Sequence, residues 1–412
     1  MALSMSHILQ SFLIVLPVTV CSLITFWLFL MQLRYWRRER LWLIAWSFAA
    51  TMLYACHAVY FSHPDELSPI ADTIYVVCNL AVYPLYLLYI LSITRGRCPR
   101  SSVIALLLGP AVIGGITVGT LYGMMSAEQM QRFCTVFLQG NSMGGLEGLP
   151  LMQAWAHVVC RVMFALQVFG VVFAGLRDIR RHDEEIAMDY ADTEGRTLAS
   201  LRIILWLMLV TAVISFAANA VGRHWFADSV WLLMLPSLTF SLLLAIIGWE
   251  GLMYGLVTVP DTYPVSSLTT QLSPTMADAT DATDGGKPSE EGCGESSEVL
   301  SARIAQTLKE RKLFLRRDLK LADVASYMQT NRTYMWQALK DNGMTFSALV
   351  NEMRVEYAAK LLRQHPDIDM PAVSVNSGYA SVNSFYRNFR SIMRCSPREY
   401  AKRYGNSKTL KE

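Results

Sequence analysis

No lysine occurs in this 412-residue chain before Lys287, and the lysine-free region holds seven long apolar runs. They span residues 8–33, 41–61, 70–93, 102–124, 151–176, 201–221 and 230–255. Each is about 20 residues or longer, the length that a helix needs to cross a bilayer. A soluble domain does not place seven such helices in a row. The chain is 53% hydrophobic and only 17% charged, against about 25% charged for an ordinary soluble protein. The expected fold class is therefore all-α, with a polytopic seven-helix membrane domain over residues 1–258.

Charge orders the topology. The first run is followed, not preceded, by its basic cluster (Arg34, Arg37, Arg38, Arg40), which is the reverse of a signal peptide and places the N-terminus outside. Connections after the first, third and fifth runs carry eleven arginines, namely that cluster with Arg95, Arg97, Arg100, Arg177, Arg180, Arg181 and Arg196. The opposite connections carry two, Arg132 and Arg223. Such a bias marks the cytoplasmic side. Trp36, Trp42, Trp225 and Trp231 fall near run boundaries, as an aromatic belt does. The outer connections (62–69, 125–150 and 222–229) leave no room for a folded outer sensor domain, so any signal sensed directly must meet the spans.

One polar stripe interrupts the apolar runs. Gln153, His157 and Arg161 recur at i, i+4 and i+8 and share a helix face. Arg161 lies about 15 Å along that helix at 1.5 Å per residue. A charge at that depth costs at least about 2.5–3.5 kcal/mol unless it faces a cavity or a partner. The stripe is either a site for a small anionic or polar ligand or interhelical glue, with Arg161 paired to carbonyls, Tyr83 or Asn79. His57 and Asn219 read as structural. Within the runs only Asp72 and Glu250 are acidic, both near run ends. Pro84, Pro110 and Pro236 are expected to kink their spans.

Enzyme chemistry finds no foothold. A retinal Schiff base needs a lysine within a span. Nucleophile-elbow, phosphate-loop and HExxH patterns are absent. The eight cysteines include no CxxC pair, so neither a metal nor a cofactor is expected. A transporter or membrane enzyme with a regulatory appendix is the rival reading, which inverted repeats or paired intramembrane carboxylates would favour.

Residues 259–297 are rich in Ser, Thr, Pro, Gly and acids and read as a flexible acidic linker. The remainder changes character. Residues 1–297 sum to −6, whereas residues 298–412 carry 20 Lys and Arg against 11 Asp and Glu, a net +9. That half reads as soluble helices: an amphipathic stretch over 301–314, then two short helix-turn-helix units joined by a long helix over 346–364. In the first unit Leu321, Val324, Ala325 and Met328 pack, Asn331 caps, and Arg332, Thr333, Trp336 and Gln337 face away from Met335, Ala338 and Leu339. In the second, Gly378 turns, Ser381 caps, and Phe385, Phe389 and Ile392 pack inward. There Val382, Asn383, Tyr386, Arg387 and Arg390 face out. Two such helices held by a third can enter successive major grooves, about 34 Å apart.

Residues 313–404 resemble the DNA-binding domain of AraC-type regulators. The resemblance rests on Ala325, the corner Gly343, Thr345, Phe346, the series Arg354, Ala358, Leu361, Leu362, the turn Gly378–Tyr379, the pair Phe385 and Phe389, and the ending Ser396, Pro397, Tyr400. Cys395, Ser374 and Asn331 depart from the usual residues without removing a groove-facing position. The resemblance implies base contacts from Arg332, Thr333, Trp336 and Gln337 and from Val382, Asn383 and Arg387. Gln337 and Asn383 suit adenine and Arg387 suits guanine; Trp336 meets a thymine methyl or sugar edge, or is a partly buried indole. Lys340, Arg390, Arg394, Arg398, Lys402 and Arg403 suit phosphates.

The expectation is a DNA-binding domain over 298–407, carried by a one-component regulator in the bacterial inner membrane, with that domain cytoplasmic. Its partners would be double-stranded DNA, membrane lipid, a second copy on DNA, and a small ligand or membrane protein as signal. Action by proteolytic release of the DNA-binding domain stands as an alternative to tethered action.

Overall fold

The structure, a computed structural model, describes residues 2–62, 68–221, 230–257 and 296–405. Among these no β-strand forms, and helices account for most of the described residues. The connection 222–229, expected on the outer side, with Arg223 and Trp225 within it, and residues 258–295 lie outside the described residues. The contacts divide the chain into two units, Met1–Arg180 with Leu198–Pro264, and Arg181–Thr197 with Val265–Glu412.

The first unit contains eight α-helices: α1 (Ala2–Arg34), α2 (Arg38–Ser62), α3 (Ser68–Arg95), α4 (Ser101–Met124), the short α5 (Ala127–Phe133), α6 (Gly148–Asp189), α7 (Ala199–Val221) and α8 (Val230–Val257). Six of them (α1–α4, α6 and α7) are long and apolar enough to cross a membrane, and Ser237–Glu250 within α8 is apolar too. Helix α3 is the axis: 72% of its apolar window is buried, against a third or less in the other five. It packs on α2 and α4, while α1 packs on α2 and α8. Trp46, Tyr86, Leu88, Ile90 and Leu205 form the core. The outward faces keep Phe26, Trp27, Leu106, Ile113, Phe169, Phe173 and Trp206 exposed. Exposed apolar surface on that scale is what membrane-spanning helices present to hydrocarbon. Glycine permits a close helix contact: a Cβ on Gly248 would lie 2.6 Å from Ile24 Cδ1. Arg40 is buried and closes the α1 end by donating to the Met31 and Tyr35 carbonyls at 2.9 and 2.6 Å.

Two features of this unit depart from the sequence reading. The connection 125–150 is built, with α5 opened by a Ser126–Gln129 capping box and continued by a π-helical turn, Cys134–Gln139. Phe133, Phe137 and Leu138 are buried there. Helix α6 runs 42 residues, well past the expected end near residue 176, and from Arg181 it belongs to the second unit.

The second unit begins with α9 (Ser297–Glu310), capped by Ser296, and a short 3-10 turn, Leu313–Leu315; the single helix expected over 301–314 is thus earlier and broken at Lys312. Then come α10 (Leu321–Tyr327), α11 (Arg332–Asp341), α12 (Phe346–Gln364), α13 (Met370–Asn376), α14 (Val382–Met393) and α15 (Pro397–Tyr404). Helix α12 lies between two cores. One gathers Leu321, Val324, Met335, Leu339, Phe346 and Val350; the other gathers Val355, Leu362, Val373, Phe385, Phe389 and Tyr400. Arg354, fully buried between them, donates to the Phe314 and Arg316 carbonyls, both at 2.7 Å, and stacks over Tyr379. Through Nε and Nη2 the guanidinium cross-ties the 3-10 turn Leu313–Leu315 to the middle of α12.

Candidate functional site

Helices α11 and α14 have the form expected of reading helices. Asn331 caps α11 by accepting from Thr333 N at 2.8 Å, and Ser381 caps α14 by accepting from Ser384 N at 3.1 Å. Side-chain caps satisfy first-turn amides that would otherwise lack partners. Met335, Ala338 and Leu339 anchor α11, and Phe385 and Phe389 anchor α14. Opposite them Thr333, Gln337, Asn383, Arg387 and Arg390 are exposed, and Arg332, Trp336, Val382 and Tyr386 are half-buried. Ile392 is exposed rather than packed; Met393 fills that position of the second core instead. The turn before α14 needs Gly378. Its φ is +82°, and a Cβ there would stand 2.7 Å from the Leu315 carbonyl oxygen, a backbone region and a space open only to glycine.

The side chains expected to read bases are engaged by neighbours. Gln337 donates to Asp341 Oδ1 at 2.6 Å. Lys340 Nζ lies 4.6 Å from the Trp336 ring centre, and that half-buried indole packs on the first core. Tyr386 sits edge-on to Phe385 at 5.6 Å, leaving its rim outward.

Sequence reasoning missed what covers these helix starts. Residues 181–197 pack into the second unit. Asp189 binds Arg332 in a forked pair, with Nε to Oδ1 at 3.1 Å and Nη2 to Oδ2 at 2.5 Å. Glu194 accepts from the hydroxyls of Ser381 and Ser384. Those two hydrogen bonds hold the Glu194 carboxyl below the usual carboxylate value, with Arg387 adding to the effect. The acidic count of 183–194 was the available signal, but it was hidden beside the arginines Arg177, Arg180, Arg181 and Arg196.

In the first unit the polar stripe divides. Gln153 and His157 are buried. Gln153 donates to the Val118 carbonyl at 3.3 Å. His157 Nε2 meets Asp72 Oδ2 at 2.7 Å, and Tyr122 donates to the same oxygen at 2.8 Å. Asp72, set aside in the sequence as a span-end acid, is therefore the hub of a buried network; only the packing of α3 against α4 and α6 brings its partners together. Arg161 differs. It is half-buried, hydrogen-bonds Asn141 Oδ1 at 3.4 Å and lies 5.2 Å from the Phe137 ring centre. The expected partner Tyr83 is instead engaged with the Met208 carbonyl at 2.9 Å. Arg161 lines a cavity of about 200 Å³ with Asp72, Asn79, Asn141, Phe164 and Phe216. Among the described residues no group of His, Cys, Asp and Glu is placed to hold a metal.

Comparison with known proteins bears on the second unit. Residues 324–403 match the family model described as a helix-turn-helix domain. A stretch of 84 residues is 31% identical to the TCP pilus virulence regulatory protein of Vibrio cholerae serotype O1, in two strains, covering 20% of this chain. The match spans 30% of the length of those relatives. No solved structure matches the chain. The C-terminal unit carries an AraC-type helix-turn-helix domain, and it is joined to a unit whose helices have the length and composition of membrane spans.

Proposed function

We propose that the chain is a membrane-anchored, one-component transcription regulator that binds double-stranded DNA through α11 and α14 in two successive major grooves. The observation that carries this reading is the pairing of two capped helices, each anchored by a buried face and each presenting exposed polar and basic residues. Thr333, Gln337, Asn383 and Arg387 read bases; Arg332, Trp336, Val382, Tyr386 and Arg390 complete the two surfaces. The chain acts without chemistry of its own. It crosses the bacterial inner membrane seven times, counting α8, with the N-terminus outside and the DNA-binding domain inside after an acidic linker. Two copies bind repeated operator sites with mutual gain in effective concentration. The name of the Vibrio relative, a virulence regulatory protein, supports a regulatory output. Electrophoretic shift with the full chain in lipid discs, on duplexes from its own genomic neighbourhood, tests the reading. Binding that weakens steeply with salt is expected; no shift on any duplex refutes it. Fusions of topology reporters after residues 62, 96 and 197 test the crossings.

The cavity beside Arg161 favours a second element of the reading, sensing by the bundle. Arg161 and Asn141 offer donors, and Phe164 and Phe216 offer apolar walls, which together suit a small anion with an apolar body. Small carboxylates should raise the melting temperature of the intact protein but not of an Arg161→Gln variant; equal shifts in both refute the site.

A further inference from the structure

Residues 183–194 carry six acids (Asp183, Glu184, Glu185, Asp189, Asp192, Glu194) and no basic side chain other than those flanking them. They lie within the unit that binds DNA. Their attachment has an apolar and backbone part: Met188 and Ala191 enter the first core, Ala191 N donates to the Leu319 carbonyl at 3.1 Å, and the Ala191 carbonyl accepts from Ser347 Oγ at 3.0 Å and Asn351 Nδ2 at 3.1 Å. Tyr190 bridges to Lys320. On either side of this anchor stands a carboxylate. Asp189 takes the Arg332 fork in the first turn of α11, and Glu194 takes the Ser381 and Ser384 hydroxyls in the first turn of α14.

These first turns are the ends that a recognition helix presents to the major groove. A forked Arg–carboxylate pair uses the same donor geometry as an Arg–phosphate pair. Arg332 cannot hold Asp189 and DNA together, and the Glu194 carboxylate at the start of α14 repels an approaching phosphate. We propose that segment 183–194 is an intramolecular competitor of DNA, an acidic clasp fastened across the starts of both reading helices, which must release before the duplex seats. The proposal rests on the DNA-reading role assigned above. Asp189 is also the last residue of α6, the helix that carries Gln153, His157 and Arg161.

Full-length protein in lipid discs, wild type and the Asp189→Ala/Glu194→Ala variant, is titrated with a random-sequence duplex and with a genomic-neighbourhood duplex. The variant keeps Met188 and Ala191 in place. When only a fraction of molecules is competent, the apparent dissociation constant rises by the inverse of that fraction, so the variant should bind at least about tenfold tighter. In the wild type, hydrogen exchange at the Ala191 amide should accelerate when duplex is added. Equal affinity for both proteins, or an Ala191 amide equally protected with duplex bound, overturns the clasp while leaving DNA binding intact. Weaker binding by the variant together with a lower melting temperature makes the segment a permanent brace and also overturns it. No binding by either protein removes the DNA-reading role, and the clasp with it.

Discussion

The Asp72–His157 contact gives the most exacting test of how the first unit is held. Both side chains are less than a tenth exposed and meet at 2.7 Å, with Tyr122 donating to the same carboxylate and Phe133 and Phe137 packed around the imidazole. Asp72→Ala leaves the ring and a phenol hydroxyl facing apolar neighbours. Removing one partner of a buried pair costs about 3–5 kcal/mol, and the orphaned hydroxyl adds about 1–3 kcal/mol. On the membrane reading proposed above, partners regained in a membrane-embedded unfolded state pull such values down, so we expect a loss of about 4 kcal/mol. Replacing both groups, Asp72→Leu with His157→Leu, removes the unpaired imidazole, leaves only the Tyr122 hydroxyl without its acceptor, and should recover about 2 kcal/mol of that loss. Reversible unfolding in mixed micelles, followed by helical circular dichroism, measures Asp72→Ala, the single variants Asp72→Leu and His157→Leu, and the double variant. Single losses under about 1 kcal/mol, or single losses that simply add in the double variant, would show that the contact is incidental and that the network does not fix the helix face bearing Arg161.

Other outcomes follow from the second unit. Asn383→Ala and Arg387→Ala, measured by electrophoretic shift, should each weaken specific binding by about 1–3 kcal/mol and relax preference at one base pair. Gly378→Ala forces an L-residue to φ +82° against the Leu315 carbonyl and should lower stability by at least about 1–3 kcal/mol in thermal unfolding. Glu194 is held below its ordinary value of 4.5. A depressed carboxyl contributes stability that is complete above the unfolded value and lost as pH falls through the native one. Clasp protection at the Ala191 amide should therefore be flat from pH 8 to about pH 5 and fall only below 4.5; a loss between pH 7 and 6 would point to a different anchor.

The reading helices were legible because local rules decide them. Asn331 and Ser381 cap, Phe385 and Phe389 recur at helical spacing, and Gly378 marks a turn that nothing else can make. Ile392 was misplaced because two neighbouring apolar residues end α14, and only packing against the second core selects Met393. The stripe on α6 was legible as periodicity. Its division into a buried network and a cavity-lining arginine was not, because Asp72, Tyr122 and Asn141 come from other helices and a turn far away in the chain.

By itself the sequence determined what one-dimensional patterns carry: apolar run lengths, the arginine bias between connections, and the caps and turns of a doubled helix-turn-helix. These depend on solvent and on neighbours within four residues. The tertiary structure alone decided which charges meet. Asp72 with His157, and Asp189 and Glu194 with the starts of α11 and α14, are separated by between 85 and 190 residues. Pairings at that separation follow from the packing of whole helices, which no local pattern encodes.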